Sequence, residues 1–418
     1  MLSGMRPAMR NLLIVTIVGL ILRYVVGVVF TYPRDFGSWI LNAENFLMNE
    51  GVYGLPGHYY PPTWGYIMAA ITGLTSILGM RISIPNPWYT GSSSAYPWET
   101  SLPSMEYALL IKTVLFIADI LVAYGLYRIV MHVSGDERKA LAAYAIWFLF
   151  PLVIVMSSMR VMFECVEIMF MVWAVVMVLE DRPFIGGLLM GVSLMTKPYA
   201  MFLAVLLIGF AFARRSSMRD PISYFSGAVV SVLVMMLPVI LSGQLDESLS
   251  WLLTRAGKVG DVDYYNTFYL IPIGLVIAVV GSLLIAVYRI VSVRVLMALT
   301  LMSTGFLLIE AGNIQYYLIL LPPVILLLEE RLIWIIIVIM LLMSYYAAIS
   351  FTSENVELYA AYGLWGWEAL VDLGQRLYPY DSTLDYSWLK SFAGYSAILI
   401  PVFLAVKSYY RREGASHA

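Results

Sequence analysis

Long apolar runs recur from one end of the chain to the other, and they constrain its fold more than any other feature. Runs with few charges lie at about 11–31, 106–131, 140–157, 162–180, 184–196, 198–213, 222–242, 267–288, 294–311, 314–329, 331–351 and 388–407. About 20 apolar residues in a helix cross a bilayer. Inside hydrocarbon every backbone N–H and C=O must be paired within the protein, so such runs fold as helices. The expected fold class is all-α: a polytopic helical membrane protein of about twelve spans, with residues 1–418 forming one integral membrane domain. With 61% hydrophobic and only 12% charged residues, the chain cannot be a soluble domain.

The charge pattern gives an orientation. Arg138, Lys139, Arg214, Arg215, Arg289, Arg411 and Arg412 collect on one side, and Arg81, Arg255, Lys258 and Lys390 on the other. The whole Lys/Arg set divides about two to one, and the richer side is cytoplasmic. Both termini are then expected in the cytoplasm. Three long loops, 32–105, 243–266 and 352–387, are expected outside, carrying amphipathic helices. The apolar stretch Tyr66–Met80 in the first loop would invert everything downstream if it crossed, so it reads as a helix on or dipping into the outer leaflet. The first run, Asn11–Thr31, is too long for a signal peptide and lacks a small-residue cleavage site, so it reads as a retained span. The expected location is the cell membrane in a prokaryote, or the endoplasmic reticulum membrane in a eukaryote.

Several function classes drop out. A net charge of −2 argues against a nucleic-acid partner. The single cysteine, Cys165, excludes an intrachain disulfide and any Cys-cluster metal site. His58, His132 and His417 are far apart in sequence. Neither a cofactor nor a metal is expected. There is no Walker A loop, no Gly-rich dinucleotide turn and no H-E-x-x-H.

The stretch "TYPRDFGSWILNAENF" follows directly on the first span. Phe36, Trp39, Ile40, Ala43, Phe46 and Leu47 recur at helical spacing, which predicts an amphipathic helix pinned to the outer leaflet. Asp35, beside Arg34, stands at its start as an N-cap, a catalytic base or both. Glu44 faces away from the stripe as a second acid or a solvated residue. "GHYYPPTWGY" follows with His58 and Tyr60, and its tandem prolines fit a helix start. Its aromatics suit either sugar stacking or an interfacial belt. Further on, Arg160 and Glu164 stand at i,i+4, which reads as a local ion pair or as an acceptor-binding pair. The pair 184–196 and 198–213 is odd, because about 13 helical residues reach only about 20 Å, short of the hydrocarbon thickness of about 30 Å. The "TKPYA" apex between them should therefore lie below the outer surface, and Lys197 there is an intramembrane charge with Glu164 or Glu167 as possible partners. In the second loop Arg255, Lys258 and Asp263 suit a phosphate and a sugar hydroxyl, or plain solvation. Gln315 and Tyr316 belong to a polar turn that feeds a span, where polar groups need water or a ligand.

Taken in order, these stretches resemble the GT-C superfamily of multi-spanning glycosyltransferases, which use polyprenyl- or dolichyl-phosphate sugars. The resemblance rests on Asp35 after the first span, Tyr60-Pro61-Pro62 at the far end of the same loop, "GGLLMGVSLMTKPYA" (Gly186–Ala200) and "QYYLILLPP" (Gln315–Pro323). "KTVLFIADILVAYGLY" (Lys112–Tyr127) is similar to the second helix of dolichyl-phosphate glucose and mannose transferases. Arg34-Asp35 stands in place of the usual acidic pair, Tyr199 stands in place of the usual Gln, and the region Met159–Glu164 lacks the G-Q-x-D often found there. The resemblance implies transfer, with inversion, of a hexose from a lipid phosphate to an acceptor hydroxyl on the extracytoplasmic side. Asp35 would be the base, and Lys197 would face the donor phosphate. The acceptor would be a glycan, a lipid or a protein, and the bilayer would hold the donor. A secondary transporter or a lipid flippase is the alternative, although transporters usually keep short loops and often show a repeat.

Overall fold

The computed structural model describes residues 7–31, 33–48, 51–53, 60–85, 101–253, 270–310, 313–354, 372, 376 and 387–416. Each apolar run of the sequence is largely helical over its described residues, from Pro7–Val29 to Ser387–Ser416. Among the described residues, Pro7–Val28, Met105–Ser134, Pro198–Arg215, Arg219–Leu241 and Trp388–Lys407 are long and apolar enough to cross a membrane. Glu137–Leu149 and Pro151–Met159, bent by 44° where they meet, make a sixth such segment. Pro183–Leu194, Ile271–Val287, Val293–Ile309, Ile314–Leu326 and Ile333–Ile349 are apolar but shorter. The outward faces are apolar as well. Ile14, Ile17, Ile21 and Val25 on the first helix, and Phe225, Leu233, Val234 and Leu237 on Arg219–Leu241, are exposed. So much apolar surface is stable only against lipid. The chain is a multi-pass helical membrane protein. Its helical class is interrupted by a small antiparallel ribbon in the first loop, Ser83–Pro85 on Ser101–Pro103, which periodicity did not predict.

Small residues bring the helices together, as is usual where lipid removes the hydrophobic drive to associate. Pro183–Leu194 lies against Arg219–Leu241 with backbone nearly touching backbone. A Cβ at Gly187 would sit 1.9 Å from the Tyr224 carbonyl oxygen, and one at Gly227 would sit 2.2 Å from that of Phe184. Met201–Arg215 turns away and packs on Ile271–Val287, where Ser282 Oγ accepts the Gly209 N–H at 3.0 Å and donates to the Val205 carbonyl at 2.8 Å.

Buried charges hold the first helix. Lys112 donates to the carbonyls of Gly27 and Phe30 and to the Thr31 hydroxyl at 2.6–2.7 Å, closing the carbonyl end of Pro7–Val29. One cation thereby satisfies acceptors that a helix end leaves open, at the pole where positive charge is favoured. Lower on the same helix, Arg23 meets Asp119 at 3.1 Å and donates to the Phe148 carbonyl at 2.6 Å. Arg23, Lys112 and Asp119 are fully buried.

The first loop is corrected by the structure. Phe36, Trp39, Ile40 and Ala43 of Pro33–Leu47 are buried inside the protein, in one cluster with Trp64, Met68, Tyr107 and Phe163. Their stripe seats the helix on its neighbours, because a face this aromatic gains more from close packing and edge-to-face contacts than from lipid. Leu47 alone of the described stripe residues is exposed, at 51%. The helix opens at Pro33, which puts Asp35 inside its first turn and not at the N-cap. The next helix, Pro62–Ile77, is two-faced: Trp64, Met68 and Ile71 are buried, whereas Leu74 and Ile77 face outward.

The Gly187 contact gives a test. Gly187→Ala drives a methyl into the Tyr224 carbonyl and should destabilise the fold by about 1–3 kcal/mol, the usual cost of overpacking. Gly73→Ala, with no atom within 4 Å of the new Cβ, should leave the melting temperature unchanged or slightly raised. Thermal unfolding of both variants in the same detergent compares them directly.

Candidate functional site

A helix of 12 residues, Pro183–Leu194, rises only about 18 Å before the chain breaks. The break runs through Met195–Lys197 and a single turn of 3-10 helix, Pro198–Ala200, before Met201–Arg215 carries the chain back. It returns to the end it left: Arg214 meets Asp181 at 3.0 Å and donates to the Leu179 carbonyl. The two helices thus form a hairpin with Lys197 at its apex.

A helix broken inside an apolar bundle needs partners for its freed backbone groups. Three lie close by. Glu167 accepts the Ala200 N–H at 3.0 Å. Ser193 Oγ donates to the Glu167 carbonyl at 2.8 Å. The Met195 carbonyl accepts the Thr63 N–H of the first loop at 3.1 Å. The apex is thus tied to the Glu164–Leu179 helix on one side and to the first loop on the other.

Lys197 is fully buried, and its Nζ lies 2.5 Å from Glu164 Oε1. Three rings surround the ammonium. Their centroids are 4.2 Å away for Phe163, 4.7 Å for Tyr60 and 5.7 Å for Tyr316, within the range of cation–π attraction. Trp64 stacks on Phe163 at 4.7 Å, Trp39 meets it edge-on at 5.4 Å, and Tyr199 packs 4.8 Å from Tyr316. Glu164 Oε2 and Glu167 Oε2 meet no hydrogen-bond donor among the described residues, though both side chains are buried.

This arrangement changes the reading of Arg160 and Glu164. A π-helical turn, Val155–Met159, ends at Arg160, and Val161 then adopts φ 59° before a new helix starts at Glu164. A left-handed backbone at a β-branched residue is a genuine outlier. It ends the helical register, so Arg160 and Glu164 do not share a turn and the i,i+4 pairing does not apply. The same kink aims Glu164 at Lys197. Strain of this kind costs on the order of 1–3 kcal/mol and persists only where its surroundings enforce it.

The other expected residues divide. Tyr60, Glu164, Lys197, Tyr199 and Tyr316 come together, and Gln315 is buried one residue before Tyr316. Glu44 is half-buried, and burial pushes its carboxyl above the usual range. For Arg34 and Asp35 the helical backbone is described and the side chains are not. His58, Arg255, Lys258 and Asp263 lie outside the described residues. Sequence reasoning missed Phe163, Trp39 and Trp64 as walls of this site, and Glu167 as the clamp on Ala200. A second acid one helical turn after Glu164, in an otherwise apolar run, was the signal for Glu167. Arg23 and Lys112, charges inside spans, carried the same signal.

The cluster can do two things chemically. Its ammonium can hold an anion in a water-poor setting, and its carboxylate oxygens can accept hydrogen bonds from hydroxyls. No protein-family model matches the chain, and no curated protein matches it.

Removing Glu164 strands a buried ammonium. Glu164→Ala should cost about 3–5 kcal/mol of stability, as when one partner of a buried pair is lost. Glu164→Leu combined with Lys197→Met should cost less than either single change. A double-mutant cycle on thermal unfolding in detergent reads that coupling.

Proposed function

We propose that the chain is a membrane glycosyltransferase that moves a hexose from a polyprenyl-phosphate donor to an acceptor hydroxyl, with inversion. One observation carries this reading: stretches far apart in sequence converge on Lys197, and those of Tyr60, Lys197 and Tyr316 are among the ones that carry the resemblance. Tyr60 comes from the first loop, Glu164 from the kinked helix and Tyr316 from the late 3-10 turn. A lipid phosphate is an anion anchored in the bilayer, and an ammonium in an aromatic cage near the first loop suits its head group.

In this reading the acceptor oxygen attacks the anomeric carbon as the bond to the phosphate oxygen breaks. The electron pair leaves with the lipid phosphate, which Lys197 stabilises without protonating it. The hydroxyl proton passes to Asp35. Asp35 stands in the first turn of a helix, where the positive pole of the backbone favours an ionised carboxylate. The chain would cross the membrane about twelve times, with both termini in the cytoplasm and the first loop outside. The ion-paired end of the bundle, with Arg128, Lys139, Arg214, Arg215 and Arg294, supports that orientation by its cations.

Purified protein given a radiolabelled polyprenyl-phosphate hexose and an acceptor extract should move label to the acceptor. Asp35→Asn should keep donor binding and lower transfer by about 10²-fold or more, the weight of a positioned base. Label that stays on the donor, with substrate accumulating inside proteoliposomes, would point to a transporter instead.

Orientation has its own measurement. Arg81→Cys should react with an impermeant maleimide from outside intact cells, and Met218→Cys only after permeabilisation. Both positions are exposed, and the native Cys165 is buried. The reverse pattern would put the first loop, and the site with it, on the cytoplasmic side.

A further inference from the structure

The Lys197 site is closed on itself. Its ammonium is already neutralised by Glu164 at 2.5 Å, and both side chains are at most 2% exposed. An anion cannot simply be added. It would meet two carboxylates, Glu164 and Glu167, around one cation, and like charges at short range in a dry setting repel strongly. The site also carries an unmet demand. Glu164 Oε2 and Glu167 Oε2 are buried with no donor among the described residues, and leaving such oxygens unpaired is costly. Their number and chemistry call for hydroxyl or amide hydrogens beside the anion.

We infer that Lys197, Glu164 and Glu167 bind a phosphate-linked polyol by exchange. The phosphate takes the place of Glu164 on the Lys197 ammonium, and the polyol hydroxyls donate to the carboxylate oxygens that lack a donor. This rests on the reading of Lys197 as a phosphate site and adds two roles to it. Glu164 is the internal stand-in for the phosphate, which keeps the ammonium paired while the site is empty. Glu167 keeps Oε1 on the Ala200 N–H and offers Oε2 to the sugar, so it reads the polyol and not the phosphate.

The surroundings permit such an exchange. The kink at Val161 leaves Glu164 as the first residue of its helix, outside the hydrogen-bond ladder of the preceding one. Two of the three rings over the ammonium, Tyr60 and Tyr316, sit just before a helix and on a 3-10 turn, not within long helices. The Tyr60 ring also stacks edge-on with Phe163 at 4.9 Å, so opening the cage exchanges ring contacts for contacts with a sugar face.

Two probes separate the roles: a short-chain polyprenyl phosphate, and the same lipid carrying a hexose. Affinities are measured for the full-length protein in detergent. Lys197→Met should abolish binding of both. Glu164→Gln should bind both about tenfold more tightly, because the competing carboxylate is gone and the closed state no longer reduces the competent fraction. A purely structural Glu164 would give the opposite, weaker binding. Should Glu164→Gln fail to fold, Glu164→Asp keeps the charge on a shorter stem and should tighten binding in the same direction. Glu167→Gln retains an oxygen for Ala200 and should weaken the glycosylated probe by about tenfold while leaving the bare phosphate unchanged, the loss of a charge-assisted hydrogen bond. Binding by Lys197→Met equal to wild type overturns the phosphate reading itself. Loss of binding in Lys197→Met together with no tightening in Glu164→Gln or Glu164→Asp overturns the exchange alone. Equal effects of Glu167→Gln on both probes overturn its role toward the polyol.

Discussion

A helix that stops part-way through an apolar layer must find partners for its open backbone groups, and much of this molecule is arranged around one such stop. Between Leu194 and Met201 the chain leaves regular α-helix with Lys197 in the middle. Glu167 takes the Ala200 N–H, the first loop offers the Thr63 N–H to Met195, and Glu164 takes the ammonium. The ties come from two other parts of the fold, the Glu164–Leu179 helix and the first loop. Without them the break would leave a cation and several peptide groups unpaired where neither water nor lipid could serve them.

That requirement explains the first loop. Its two helices are packed into the protein through Phe36, Trp39, Trp64 and Met68, and they cover the apex. The cover is aromatic where it meets the ammonium. Rings can face a cation with their negative quadrupole and still pack as apolar bodies. The loop is therefore part of the core, and its position depends on the first membrane helix, whose carbonyl end Lys112 closes and whose middle the Arg23–Asp119 pair ties to Met105–Ser134. A change at Arg23 or Lys112 would reach the site through this chain of contacts although neither residue touches it.

Buried pairs of this kind seldom add much stability, since the cost of taking both charges from water offsets most of their attraction. They define an arrangement instead. Each charge inside the bundle has few acceptable partners, so the packing that satisfies Lys197, Lys112 and Arg23 together is one among very few. The same property makes the Lys197 pair suitable for exchange: the ammonium must always have an anion, and the anion need not always be Glu164.

The sequence by itself determined that the chain is helical and membrane-embedded, where its apolar helices lie, and that the chain breaks at Lys197. The reason is that hydrocarbon imposes simple rules. It forces helices, limits their length and makes every interior charge conspicuous. Only the tertiary structure decided the partners. Arg160 and Glu164 look like a pair at helical spacing, but a left-handed backbone at Val161 separates them and gives Glu164 to Lys197. The Phe36–Ala43 stripe looked like a membrane-facing surface, and the protein's own aromatics took it. Periodicity reports which face of a helix is apolar. It does not report whether lipid or protein covers that face, or where a kink sends the next side chain, because both depend on how helices distant in sequence cross.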